Sequence, residues 1–254
     1  MKKLYILMIA VMISAMTYAQ VDVTFEVDMN NETVDGMVHI AGDFGADYPV
    51  WQPDGIPMMD PDEDGVYAVT LSLMPGTYQF KYINGSIWDN NETVPPAAQV
   101  LTDGNSNRFY TVGDAAATYR VCFGEAAPCG DYGVRFRVDM SQETVNPVGV
   151  HVAGTFQQPD PWQPGQTPLT DTDADGVHDA LVTFTAEALS EMGEIDYKFI
   201  NGNDWLNPNE SVQGDCATEG GDRRTEITEN SFLMDAVCYN QCGSCIEPTA
   251  VTFH

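Results

Sequence analysis

Two stretches of this chain place lysine and tryptophan at matching spacing. Tyr78-Gln79-Phe80-Lys81-Tyr82-Ile83-Asn84-Gly85 leads to Trp88, and Asp196-Tyr197-Lys198-Phe199-Ile200-Asn201-Gly202 leads to Trp205. An indole offers a flat apolar face on which the C–H face of a sugar ring can stack, while an ammonium or amide group hydrogen-bonds the hydroxyl rim. Alternation along a strand sends Tyr78, Phe80 and Tyr82 to one face and Gln79 and Lys81 to the other. With the aromatics in the core, Lys81 lies outside. Trp88 and Trp205 stand in Asn- and Asp-rich loops beyond any period-2 pattern, which argues for exposure. The competing reading buries all four tryptophans, since β-sandwiches commonly hold one inside.

A second chemistry is suggested by Asp171, Asp173, Asp175 and Gly176, followed by Asp179. This Asp-x-Asp-x-Asp-Gly pattern opens like a calcium loop, but Val182 stands where such a loop needs a bidentate Glu. The other half of the chain keeps Asp60, Asp62, Asp64 and Gly65, with Ala68 in place of Asp179. Asp and Gly also serve any tight hairpin. The expectation is therefore that no cofactor is required and that Ca2+, if bound, goes to Asp171, Asp173, Asp175 and Asp179.

These residues recur because the chain repeats itself. Val23-Thr24-Phe25-Glu26-Val27-Asp28-Met29 returns as Val134-Arg135-Phe136-Arg137-Val138-Asp139-Met140, and Val38-His39-Ile40-Ala41-Gly42 as Val150-His151-Val152-Ala153-Gly154. Trp51-Gln52-Pro53 returns as Trp162-Gln163-Pro164. The spacing is about 111 residues from Phe25 to Phe136, an ordinary domain size. Within a copy, period-2 runs separated by Gly, Pro, Asn and Asp turns predict an all-β fold: two tandem immunoglobulin-like antiparallel β-sandwiches. Only Ala186 to Met192 hints at a helical turn. The expected layout is a signal peptide at 1–19, a first module at 20–129, a linker at 130–133 and a second module at 134–245. Val251-Thr252-Phe253-His254 matches the opening strand of each copy, so 246–254 reads as a linker and the start of a third repeat.

Lys2 and Lys3, an apolar run to about Met16 and Thr17-Tyr18-Ala19, with small residues at the usual cleavage positions, are a secretory pattern, so the mature chain is expected outside the cytosol. That run is too short and wrongly flanked for a membrane span, and no other stretch is long and apolar enough for one. Six cysteines fit an oxidising compartment. Cys122 and Cys129 match Cys238 and Cys245, whereas Cys216 and Cys242 are replaced by Ala98 and Ala126 in the first copy. Two cysteines missing together are most simply partners, which predicts Cys122–Cys129, Cys238–Cys245 and Cys216–Cys242. A zinc knuckle of Cys238, Cys242 and Cys245 lacks a fourth ligand, and the first copy could not build it. The chain holds 38 acidic and 10 basic residues, a formal charge of −28. That excess repels nucleic acid and anionic lipid. Nothing in the sequence fixes an oligomeric state.

Val38-x-Ile40-x-Gly42-x-Phe44, Trp51, an acidic-Gly hairpin, Gly76-x-Tyr78-x-Phe80-Lys81, a turn and Trp88 together resemble the glycogen- and starch-binding modules of branching enzymes, isoamylases and the AMP-activated kinase β-subunit. The likeness covers about 33–112 and 144–227. It implies an α-glucan laid on two tryptophans with help from a strand lysine and a later asparagine. Those become Trp51, Trp88, Lys81 and Asn107 in the first copy. In the second they become Trp162, Trp205 and Lys198, with Arg223 where asparagine is expected. The resulting expectation is a secreted carbohydrate-binding protein whose partner is a polysaccharide. His39 and His151 lie in strand patterns without a nucleophile motif, so no enzyme is expected. The alternatives are a calcium-stiffened structural or adhesive repeat and a non-catalytic appendage of a longer glycan-processing enzyme.

Overall fold

The computed structural model describes residues 19–102 and 105–245. The expected leader, apart from Ala19, and the expected third-repeat strand lie outside the described residues.

The first module is a two-layer β-sandwich built from β1 (Val21–Asp28), β2 (Val38–Gly42), β3 (Ile56–Pro57), β4 (Val66–Leu73), β5 (Gly76–Asn84), β6 (Gln99–Thr102), β7 (Asn105–Val112) and β8 (Ala117–Cys122). One sheet runs β4-β1-β8 and the other β3-β2-β5-β7-β6. Period-2 patterning sets which side chains meet between the layers. Val23, Phe25 and Val27 from β1 and Phe80 and Tyr82 from β5 are fully buried. The Phe25 ring meets those of Phe80 at 5.1 Å and Phe44 at 5.5 Å, edge to face. The pairing is not purely antiparallel, because β8 runs parallel to β1 from Val23↔Ala117 to Asp28↔Cys122. A parallel pair needs a long crossover, and the rest of the module supplies it.

The second module repeats the plan with β9 (Tyr132–Asp139), β10 (Val150–Gly154), β11 (Thr167–Leu169), β12 (Val177–Phe184), β13 (Glu194–Ile200), β14 (Arg223–Glu226), β15 (Ser231–Leu233) and β16 (Val237–Cys238). Its sheets are β11-β10-β13-β14 and β12-β9-β15, with β16 also pairing β9. A single helix, α1 (Ala186–Met192), joins β12 to β13 where the sequence hints at a helical turn. The Thr185 hydroxyl caps it by accepting from the Ala188 amide, and Gly193 at φ 68° ends it.

The modules are packed together, not loosely strung. β9 begins at Tyr132, inside the span expected to be linker, and Gly133 lies against Ala126. Val94, Ala97, Ala98 and Ala126 of the first module are buried, and the half-buried Leu181 and Leu233 of the second pack against them. The Ala126 amide donates to the Ser231 hydroxyl at 2.9 Å. Arg135 of β9 crosses the joint: its Nε donates to the Ala97 carbonyl, its guanidinium lies 4.7 Å over the Phe109 ring, and its Nη1 pairs with Asp179 at 2.7 Å.

All three expected disulfides are present: Cys122–Cys129, Cys216–Cys242 and Cys238–Cys245. Cys216–Cys242 occupies the positions of Ala98 and Ala126, the alanines that seat the second module. The second module thus has a covalent staple where the first has a neighbour. Closing a loop of this length contributes roughly 2–4 kcal/mol.

Candidate functional site

Each module hangs its first tryptophan from the end of its second strand. The Trp51 amide donates to the Gly42 carbonyl at 3.0 Å, and the Trp162 amide to the Gly154 carbonyl at 2.9 Å. Gly42 must be glycine, since a side chain there would run into the Gln79 carbonyl and Phe80. Trp51 adopts φ 48° and Trp162 φ 61°, a left-handed backbone that costs a bulky residue on the order of 1–3 kcal/mol. The same unfavourable geometry at both counterpart tryptophans marks a position held by its surroundings.

The second tryptophan follows β5. A single 3-10 turn, Trp88–Asn90, folds the chain back so that Asn91 bridges to Ile83. Asn91 donates to the Trp88 carbonyl and accepts from Lys81 Nζ at 3.4 Å. The outcome in the first module is a tilted pair: the Trp51 and Trp88 rings lie 6.4 Å apart at 39°. Trp88 is 39% exposed and Trp51 half-buried. Two indoles, with a lysine ammonium hydrogen-bonded into the same loop, can stack a sugar ring and bind its hydroxyls.

The counterparts in the second module are arranged differently. Trp205 is 41% exposed beside Leu206, which is 95% exposed, while Trp162 is half-buried. Their rings make no contact of the kind seen between Trp51 and Trp88. Lys198 is held by Asp222 at 2.8 Å.

Two expected polar positions are corrected. Arg223 does not face a ligand: it is buried, with Nε and Nη2 donating to Glu210 at 2.8 and 2.7 Å. Asn107 is only 8% exposed, and its amide donates to Gln79 at 3.2 Å. The sheet register explains the mismatch between them. Phe80 faces Arg108 and Tyr197 faces Arg223, so Arg108 and Arg223 correspond and the counterpart of Asn107 is Asp222. A slip of one residue moves a strand side chain to the opposite face.

The register also brings together a buried ion pair whose members lie apart in the sequence. Glu92 is fully buried against Arg108, with Nη2 to Oε2 at 2.6 Å, and it accepts from the Tyr82 amide at 2.9 Å. Burial works most strongly against the Arg108 charge, but Glu92, Tyr119 and Tyr82 together outweigh it and hold the guanidinium above its ordinary pKa. Glu92 ends the Trp88 loop, so these bonds pin the loop to β7 through Arg108 and to β5 through the Tyr82 amide. The pair's signal was present in Asn91-Glu92-Thr93-Val94 and Asn209-Glu210-Ser211-Val212, each followed by an arginine in a chain poor in basic residues.

No protein-family model matches the chain, and no curated protein matches it. Among solved structures, a leucine-rich repeat protein from Bacteroides thetaiotaomicron is similar over 89% of this chain and 27% of its own, at 11% identity and a TM-score of 0.28. A maltogenic amylase from S. marinus is similar over 70% of this chain and 24% of its own, at 10% identity and a TM-score of 0.24. The chain thus spans 27% and 24% of those two structures. Neither likeness assigns a family.

The acidic hairpins form two further groups. Carboxylate oxygens of Asp60, Asp62 and Asp64 lie within 4.8 Å of one another, as do those of Asp171, Asp173 and Asp175. Each first aspartate also shapes its turn, Asp60 accepting from the Asp64 and Gly65 amides and Asp171 from the Asp175 and Gly176 amides. Three carboxylates could contribute to the oxygen shell of a calcium ion, which needs six to eight ligands. Asp179 does not join them. It sits on β12 with its carboxylate on Arg135, and burial raises its pKa against the pull of Arg135 and Arg137. Burial likewise lowers Arg135, opposed by Asp179. Arg135 and Arg137 line one cavity of about 240 Å3 with Asp173 and Asp175, which further discourages a cation at the second module.

Proposed function

We propose that this protein binds polysaccharide outside the cytosol, with α-glucan the favoured class, through the Trp51–Trp88 platform. The observation that carries the reading is the tilted indole pair, with Trp88 exposed and Lys81 hydrogen-bonded into the Trp88 loop through Asn91. Exposed large aromatics that are positioned by strained backbone and a buried ion pair have the character of a binding surface and not of leftover core. The resemblance of 33–112 to glycogen-binding modules supports α-glucan among sugars. The disulfides support an oxidising compartment. Stacking contributes about 1–3 kcal/mol per ring, by analogy with bases on aromatics, so one site binds in roughly the high micromolar to millimolar range. The role is binding, without catalysis by these modules. Affinity electrophoresis tests it: migration is expected to slow in gels containing glycogen or starch and to be unchanged with unrelated polysaccharides. Equal migration in all gels removes the reading.

The acidic hairpins favour a second reading, a calcium-stiffened repeat. In that case calcium added to chelator-treated protein raises its melting temperature, and Asp62→Ala removes the gain.

A further inference from the structure

The two modules share a fold and a set of matching tryptophans, yet their candidate surfaces differ at three points. The first is ring geometry. Trp51 and Trp88 form a tilted pair at 6.4 Å, whereas Trp162 and Trp205 do not meet. The second is the strand lysine. Lys81 has a neutral partner, Asn91, at 3.4 Å, and no carboxylate ion-pairs with it among the described residues. Lys198 is bound to the Asp222 carboxylate at 2.8 Å, and the two side chains are only 13% and 25% exposed. The third is the residue beside that lysine, which is Asn107 in the first module and Asp222 in the second.

We infer that glycan binding is confined to the first module, and that Asp222 closes the corresponding surface of the second by capturing Lys198. This rests on the glycan reading given above. A sugar hydroxyl approaching Lys198 must displace a partly buried ion pair, which salt and water screen less than an exposed one. At Lys81 it displaces only a long contact to a neutral amide. The separated rings of the second module add to the effect, since a single indole gives one stacking contact in place of two. Asp222 is itself fixed: its amide donates to the Thr218 hydroxyl and its carbonyl accepts from the Thr218 amide. The capture is therefore built into the loop before β14.

The four indole N–H groups give four separate nuclear magnetic resonance signals, so the full chain can be titrated with maltoheptaose and each site read independently. The signals of Trp51 and Trp88 are expected to move, while those of Trp162 and Trp205 stay in place. Asp222→Asn, which copies the first module, is expected to bring the Trp205 signal into the titration. Asn107→Asp, which copies the second, is expected to weaken binding at Trp51 and Trp88 about fivefold, the scale of one partly exposed ion pair. Movement of all four signals at the same concentration in the wild type overturns the inference. So does a Trp205 signal that stays fixed in Asp222→Asn while Trp51 and Trp88 respond. If no indole responds to maltoheptaose, the glycan reading itself fails and the inference falls with it.

Discussion

Glu92→Ala is expected to destabilise the first module by about 3–5 kcal/mol, because it leaves the Arg108 guanidinium charged, buried and without its partner. Against a typical domain stability of about 5–15 kcal/mol, that is enough to unfold a marginal module. The effect comes from the orphaned charge more than from the worth of the pair. Glu92→Leu combined with Arg108→Met, which removes both charges and keeps the volume, is expected to recover most of the loss. Calorimetry of the full chain separates the two cases. The transition of the second module, whose Glu210–Arg223 pair is intact, should persist in both variants. A Glu92→Ala protein that melts like the wild type would mean that Arg108 finds another partner, and the anchoring of the Trp88 loop would need a different cause.

Arg135→Ala is expected to cost about 3 kcal/mol and to split unfolding into two transitions, one for each module. The substitution removes a hydrogen bond to the Ala97 carbonyl and a cation stacked over Phe109, both across the joint. It also leaves the half-buried Asp179 carboxylate without its ion-pair partner. Arg135→Lys keeps the charge but loses the planar fork, so it should fall between alanine and the wild type. Both modules should suffer: the second keeps the unpaired Asp179, and the first loses contacts with the neighbour on which it relies where the second has Cys216–Cys242. One unchanged cooperative transition in Arg135→Ala would place the coupling in the alanine cluster alone.

Much of this architecture could be read from residue patterns. Alternation in Val23-Thr24-Phe25-Glu26-Val27 and in Tyr78 to Tyr82 placed the core side chains correctly, because a strand has only two faces. Joint absence of Cys216 and Cys242 from the first copy identified them as partners. Trp88 and Trp205 are exposed, as their polar loops implied. Other features depend on contacts distant in sequence. Arg223 was matched with Asn107 because motif alignment tolerates a one-residue slip, whereas the sheet does not. Asp179 was grouped with the hairpin aspartates by spacing, but the adjacent strand β9 sets Arg137 opposite it and supplies Arg135 as its ion-pair partner. The packed joint was hidden because Gly133 and Ala126 look like linker and loop until they are seen against each other.

The central claim is most directly tested by retention of Trp88→Ala on immobilised glycogen, measured together with its melting temperature. Wild-type protein is expected to be retained, and Trp88→Ala to lose about tenfold or more of its affinity with a nearly unchanged melting temperature. An exposed indole contributes to a ligand and little to the fold, whereas truncating a core tryptophan costs about 3–5 kcal/mol of stability. Wild-type protein that passes glycogen unretained, or a Trp88→Ala variant that melts many degrees lower, would contradict the claim.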